Sequence, residues 1–265
     1  MAFSGCKRIK KPSVCPRAEI DMEKVCFYNN QGEKLAGILH KPDIVPASAV
    51  IISHGFGSSK KNKEKWASGL CVAGFLVLRF DFSGHGESEG EIEETTVTKV
   101  KDDLDSAIKF VRGFDAGKIG LTGHSLGGLA SLLAARQAQA VAPIAPPTDL
   151  ASLYDMRGKT GLVDIEKWKR DGSLDIFGVK VNYGMYEDAV RYDQRSTAKS
   201  IACPVMLIHG DKDDIVPLQQ SIDFVHALQC EKRLEILEGV GHDLNPESRD
   251  KMIELTKEWF MEWLS

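Results

Sequence analysis

Residues 118–133 read KIGLTGHSLGGLASLL. The first part, Lys118 to Thr122, is a short apolar run of the kind a strand buried on both faces shows. From Leu129 to Arg136 the chain is rich in Ala and Leu and reads as a buried helix. Between them Gly123-His124-Ser125-Leu126-Gly127 matches G-x-S-x-G in the strand–turn–helix setting that motif requires. The logic is steric. A strand that turns straight into a helix strains its hinge residue and throws that side chain above the sheet edge. Gly123 and Gly127 lack a Cβ and so let the backbones pass closely. Ser125 is the candidate nucleophile, with the Leu126 N–H unpaired at the helix start.

Working outward, β-rich runs alternate with helical patterns, which implies a mostly parallel sheet with helices on both faces. The runs are Ala49 to Ser53, Phe75 to Phe82, Ala140 to Ala145, Pro204 to His209 and Arg233 to Leu237. Val25 to Asn29 and Lys34 to His40 flank the turn cluster Asn30-Gln31-Gly32 and form a leading hairpin. Val97, Val100, Leu104, Ala107, Ile108 and Val111 fall at helical spacing, as do Leu218, Ile222, Val225 and Leu228. A third amphipathic segment runs from Met252 to Leu264. The stretch 146–200 breaks the rhythm and is too long for a structureless loop, so it reads as a helical cap. Leu162, Ile165 and Trp168 mark one short helix there, and Met185, Ala189 and Tyr192 another. The organisation expected is an extension over 1–24, a core over 25–145 and 201–265, and the cap over 146–200.

Composition narrows the function. The 265 residues are 43% hydrophobic and 27% charged, which excludes disorder and fibrous repeats. With 34 basic side chains against 38 acidic, the formal charge of −4 argues against a general nucleic-acid binder. Six scattered cysteines contain no C-x-x-C pair, so neither a zinc knuckle nor a disulfide framework is expected. Lys7, Arg8, Lys10 and Lys11 have no apolar stretch behind them and read as a solvated tail. The expectation is a soluble, cytoplasmic protein without stable membrane insertion, a homodimer being left open.

The remaining chemistry sits at other strand ends. His54-Gly55-Phe56-Gly57 follows the run at 49–53 and offers Phe56 N–H as a second oxyanion donor beside Leu126, with His54 fixing the loop. The loop His209-Gly210-Asp211-Lys212-Asp213-Asp214-Ile215-Val216-Pro217 follows another strand, and Asp213 is favoured as the acid, with Asp211 and Asp214 its rivals. His242, in Gly239-Val240-Gly241-His242, is the base best placed. The order Ser, Asp, His, with each residue leaving a different strand, brings the three to one rim. No metal-ligand spacing is present and no cofactor is implied.

HGFGSSK, FDFSGHGESEG, GHSLGG, HGDKDDIVP and GHD together resemble the α/β-hydrolase superfamily, from about Val25 to the C-terminus. Phe80 to Ser88 is similar to the strand-end motif of its serine aminopeptidase-like and monoacylglycerol-lipase-like branch. The insertion, with NYGMYEDA, is similar to that of small cinnamoyl (feruloyl) esterases, although those commonly carry Gln where this chain has Leu126. The resemblance implies a serine carboxylesterase acting on a small-molecule ester, with hydroxycinnamoyl or short-to-medium acyl groups as candidates. It also suggests Asp149 and Tyr183 as substrate-binding counterparts in the insertion. Monoacylglycerol lipase, thioesterase and peptidase remain open alternatives, as does a non-catalytic binding homologue.

Overall fold

Alternation and β-branching place the strands. A computed structural model describes residues 20–159, 163–176 and 178–265. The leading hairpin is β1 (Asp21–Tyr28) and β2 (Lys34–Lys41), antiparallel, so the first strand starts four residues before the run read as β-rich. β3 (Ser48–Ser53) and β4 (Leu76–Phe80) are buried throughout. β5 (Lys118–His124) and β6 (Ala140–Ile144) follow, then β9 (Val205–Gly210) and β10 (Lys232–Leu237) beyond the insertion. The eight strands run in the order β1-β2-β4-β3-β5-β6-β9-β10. β2 pairs antiparallel with β4, and every later pairing is parallel. The C-terminal ends of β3, β5, β9 and β10 therefore share one edge.

β3, β4, β6 and β9 feed alternate residues to two cores. Ala49 and Ile51 join one core with α2 (Val97–Arg112), α3 (Leu126–Leu133) and α8 (Leu218–Ala227). Val50 and Ile52 join the other with α1 (Glu64–Val72) and α9 (Pro246–Leu264). Local chemistry sets two helix starts: the Thr96 hydroxyl accepts from Lys99 N–H at α2, and Asn245 accepts from Ser248 N–H, with Pro246 in the first turn, at α9.

The insertion is mostly helical: α4 (Leu150–Lys159), α5 (Ile165–Asp171), α6 (Gly184–Ala189) and α7 (Gln194–Ser200). Between α5 and α6 lies a hairpin, β7 (Ser173–Ile176) with β8 (Val179–Asn182), which the helical reading of this stretch did not include. Its strands are four residues each, too short for alternation to show. Leu162, the extension's basic cluster, Cys6 and Cys15 lie outside the described residues.

Candidate active site

Ser125 stands at the junction of β5 and α3 with φ 54° and ψ −121°, a backbone that residues with a Cβ rarely adopt. Close crossings hold it there. A Cβ on Gly123 would lie 2.5 Å from the Gly127 carbonyl, and one on Gly127 would lie 2.5 Å from the His54 carbonyl oxygen. Strand, helix and the loop leaving β3 thus meet backbone to backbone. Ser125 N–H donates to Ile144 O at 2.9 Å, locking the turn onto β6.

The acid loop is built around one carboxylate. Asp213 is fully buried at its side chain and takes four donors. Oδ1 accepts from the N–H groups of Ile215 at 2.9 Å and Val216 at 2.7 Å. Oδ2 accepts from His242 Nδ1 at 2.7 Å and His209 Nε2 at 3.1 Å. Burial pushes this carboxyl up, but hydrogen bonds from His209 and His242, the His242 charge and Val216 N–H outweigh it and hold it well below the usual range. The structure brings Asp213, rather than Asp211 or Asp214, to His242. Asp211 instead accepts from Gly239 N–H at 2.6 Å, and Asp214 is exposed.

Three further histidines frame this arrangement. His209 Nε2 also faces Val216 O at 3.0 Å, so both its partners only accept, and Nε2 carries the proton. Nδ1 then accepts from the Ser221 hydroxyl at 2.7 Å. His124 Nε2 donates to the His242 carbonyl at 3.0 Å, with the two rings 4.7 Å apart. Burial, the nearby Lys63 charge and His242 push His124 down to about 3, so it stays neutral. His54 fixes the loop that leaves β3: Nδ1 donates to Gly55 O at 2.8 Å, and Phe82 N–H donates to Nε2 at 3.1 Å. The sequence singled out His54 for this work, whereas His209 went unmarked, because a histidine ending a buried strand looks like any core residue until its partners are known.

A cavity of about 630 Å³ opens at this rim, lined among others by Gly55, Phe56, His124, Ser125, Ile215 and His242. Ser125 and His242 share it, although Ser125 Oγ has no hydrogen-bond partner among the described residues. Catalytic hydrogen bonds are often loose before a substrate is bound. The described lining comes wholly from the core and contains no residue of 146–200. Asp149 and Tyr183 are not brought to it. Asp149 Oδ1 accepts from Ser152 N–H at 3.0 Å, at the start of α4. Tyr183 meets Trp168 edge-on at 5.8 Å and stacks on Tyr186 at 5.7 Å. The insertion spends these aromatics on its own packing. Lys63 and Arg249, which the sequence reading passed over, do line the cavity.

No group of three or more His, Cys, Asp or Glu among the described residues is placed to hold a metal ion. None of the described helices is long and apolar enough to cross a membrane.

A strained serine at a strand–helix elbow, on a mostly parallel eight-stranded sheet of this order, defines the α/β-hydrolase class. Residues 45–152 match the family model described as serine aminopeptidase, S33. The chain is 31% identical over 221 residues to the mitochondrial palmitoyl-protein thioesterase ABHD10 of Bos taurus, covering 80% of this chain and 68% of that protein. It is 26% identical to the monoglyceride lipase of Homo sapiens, over 90% of this chain and 89% of the lipase. Among solved structures, Est1E from Butyrivibrio proteoclasticus with ferulic acid bound superposes with a TM-score of 0.80 at 25% identity, over 91% of this chain and 99% of that one. The chain belongs to the α/β-hydrolase superfamily and is a hydrolase of that fold.

Proposed function

We propose that the protein is a serine carboxylesterase that works through an acyl-enzyme on Ser125. The observation that carries this reading is the strained Ser125 elbow sharing one cavity with His242, whose Nδ1 is held 2.7 Å from the buried Asp213 carboxylate. With Nδ1 protonated toward Asp213, His242 Nε2 is the free base. It takes the Ser125 Oγ proton as Oγ attacks the ester carbonyl carbon. Phe56 and Leu126 N–H groups receive the oxyanion. The tetrahedral species collapses by breaking the ester C–O bond, and the alcohol leaves with the proton from His242. Water repeats the cycle on the acyl-enzyme and releases the acid.

Hydroxycinnamoyl esters are the favoured substrate trial, on the likeness to Est1E with ferulic acid bound. Thioesters are the second, on the identity to the bovine thioesterase; the steps are the same with sulfur as the leaving atom. The test is Ser125→Ala. The folded variant should lose p-nitrophenyl ester hydrolysis and fluorophosphonate labelling, and a variant retaining near wild-type hydrolysis would overturn the assignment. A panel of short-acyl, long-acyl and hydroxycinnamoyl esters beside an acyl-CoA and a peptide amide then ranks the leaving groups.

A further inference from the structure

The cavity that holds Ser125 has a second, charged wall that the hydrolytic steps leave unused. Lys63 and Lys65 reach it from the segment before and at the start of α1, and Asp243 and Arg249 from the loop after β10 and the start of α9. Trp66, Met252 and Ile253 give it an apolar side. Three cations thus face one carboxylate. Lys65 is already matched, by an ion pair with Asp250. Arg249 donates to the Leu244 carbonyl at 2.8 Å and has no carboxylate within ion-pair distance among the described residues. Lys63 has neither ion pair nor side-chain hydrogen bond among them.

Lys63 lines the same cavity as His124, Ser125 and His242, and its charge helps hold down both His124 and His54. Burial and the neighbouring Arg249 charge also act on Lys63 itself and push its ammonium down to about 8, against the opposing pull of Asp243. Two like charges in a half-enclosed cavity disfavour each other, and an anion between them removes that cost. An apolar wall beside two unmatched cations is suited to a ligand with a hydrocarbon body and an anionic end.

Resting on the serine-esterase reading, we propose that Lys63 and Arg249 form an anion subsite, so that the preferred ester or thioester carries a carboxylate or phosphate on the group occupying this end of the cavity. The side chains act on binding, with the guanidinium able to meet two oxygens of the oxyacid and the ammonium one. No bond is made or broken there.

Matched pairs test this. The p-nitrophenyl hemiester of glutaric acid is set against p-nitrophenyl pentanoate, and 4-acetoxybenzoate and 4-acetoxyphenyl phosphate against methyl 4-acetoxybenzoate. At low ionic strength at least one anionic member should exceed its neutral mate in kcat/KM by roughly 10–100-fold, mainly through KM. The carboxylate and phosphate arms show which oxyacid is read. In Lys63→Met and Arg249→Gln the anionic-to-neutral ratio should collapse toward one, and Lys63→Arg should restore it. Fluorophosphonate labelling shows that Ser125 remains reactive in each variant. Equal kcat/KM within all wild-type pairs overturns the subsite and leaves the esterase reading standing. A wild-type protein that neither hydrolyses any of these esters nor takes the label overturns both.

Discussion

The rim of the sheet and the insertion at 146–200 hold their side chains by different means. At the rim, polar groups converge on one carboxylate: Asp213 takes four donors, one of them His209, itself held by Ser221. In the insertion, rings converge on one ring. Trp168 is fully buried, with Tyr154, Tyr183 and Tyr186 at 5.3, 5.8 and 6.3 Å, and its Nε1 donates to Val181 O at 2.9 Å. Hydrogen-bond networks fix direction, whereas aromatic clusters fix position and volume with looser angular demands. The rim is therefore built to aim atoms, and the insertion to hold itself together.

The largest effect that separates the two regions should come from Asp213→Asn. An amide cannot accept on both sides. Its NH2 would face either His242 Nδ1 or the two N–H groups at 215 and 216, favouring the wrong His242 tautomer. A fall in kcat of about 10⁴ is expected with the fold intact, measured by steady-state kinetics beside circular dichroism. Trp168→Ala should do the reverse. It removes the centre of the insertion's packing and should cost about 3–5 kcal/mol of stability in denaturant titrations. Hydrolysis of a small ester by the folded fraction should fall less than about tenfold, because no residue of the insertion is among the cavity's described lining.

The same contrast explains what the sequence made legible. The rim was readable because its devices are local: a glycine on each side of Ser125, Asp213 two and three residues before its Ile215 and Val216 donors, and His242 directly after a strand loop. Buried strands such as 49–53 announced themselves by continuous apolar runs. The insertion was less readable because its contacts are reciprocal and distant. Asp188 accepts from Thr98 N–H at 2.6 Å and the Tyr192 hydroxyl meets Thr98 Oγ1 at 2.7 Å, yet nothing near 188 or 192 in the chain points to α2. Lys63 and Arg249 were hidden for the same reason, being 186 positions apart.

Acid sharpens the comparison further. His40 and His54 are buried and His124 is half-buried; all three are neutral, pushed down to about 4, 3 and 3 chiefly by desolvation. The unfolded chain takes these protons near ~6.5 while the native chain refuses them. Stability from this source is complete above that pH and is lost as pH falls from it toward 4, by about 1–2 kcal/mol per histidine at pH 5. All three lie in the core, and residues 146–200 contain no histidine. His40→Gln should flatten the change in urea midpoint between pH 7 and pH 5, and an unchanged slope would contradict the neutral assignment. On the basic side, Lys63 faces Arg249, Asp243, His54 and His124, and it discharges as pH rises past about 8. KM for an anionic ester should then climb by about tenfold toward pH 10 while staying flat in Lys63→Arg, whose side chain keeps its charge.

The smallest effect tests how redundant the rim is. Ser221→Ala removes the hydroxyl that donates to His209 Nδ1, leaving a buried ring nitrogen without its partner. The expected loss is about 1 kcal/mol of stability. His209 would then be oriented only through Nε2, which already divides its proton between Asp213 and Val216 O. Asp213 nevertheless keeps two backbone donors on Oδ1, and these belong to its own loop and move with it. The imidazole at 242 therefore still meets a carboxylate held at one angle, and kcat should fall less than about threefold. A loss of a hundredfold would mean that His209, rather than the loop backbone, sets the direction of Asp213. A buried histidine with no access to the cavity would then be a positioning residue in its own right, detectable by the same drop in His209→Gln.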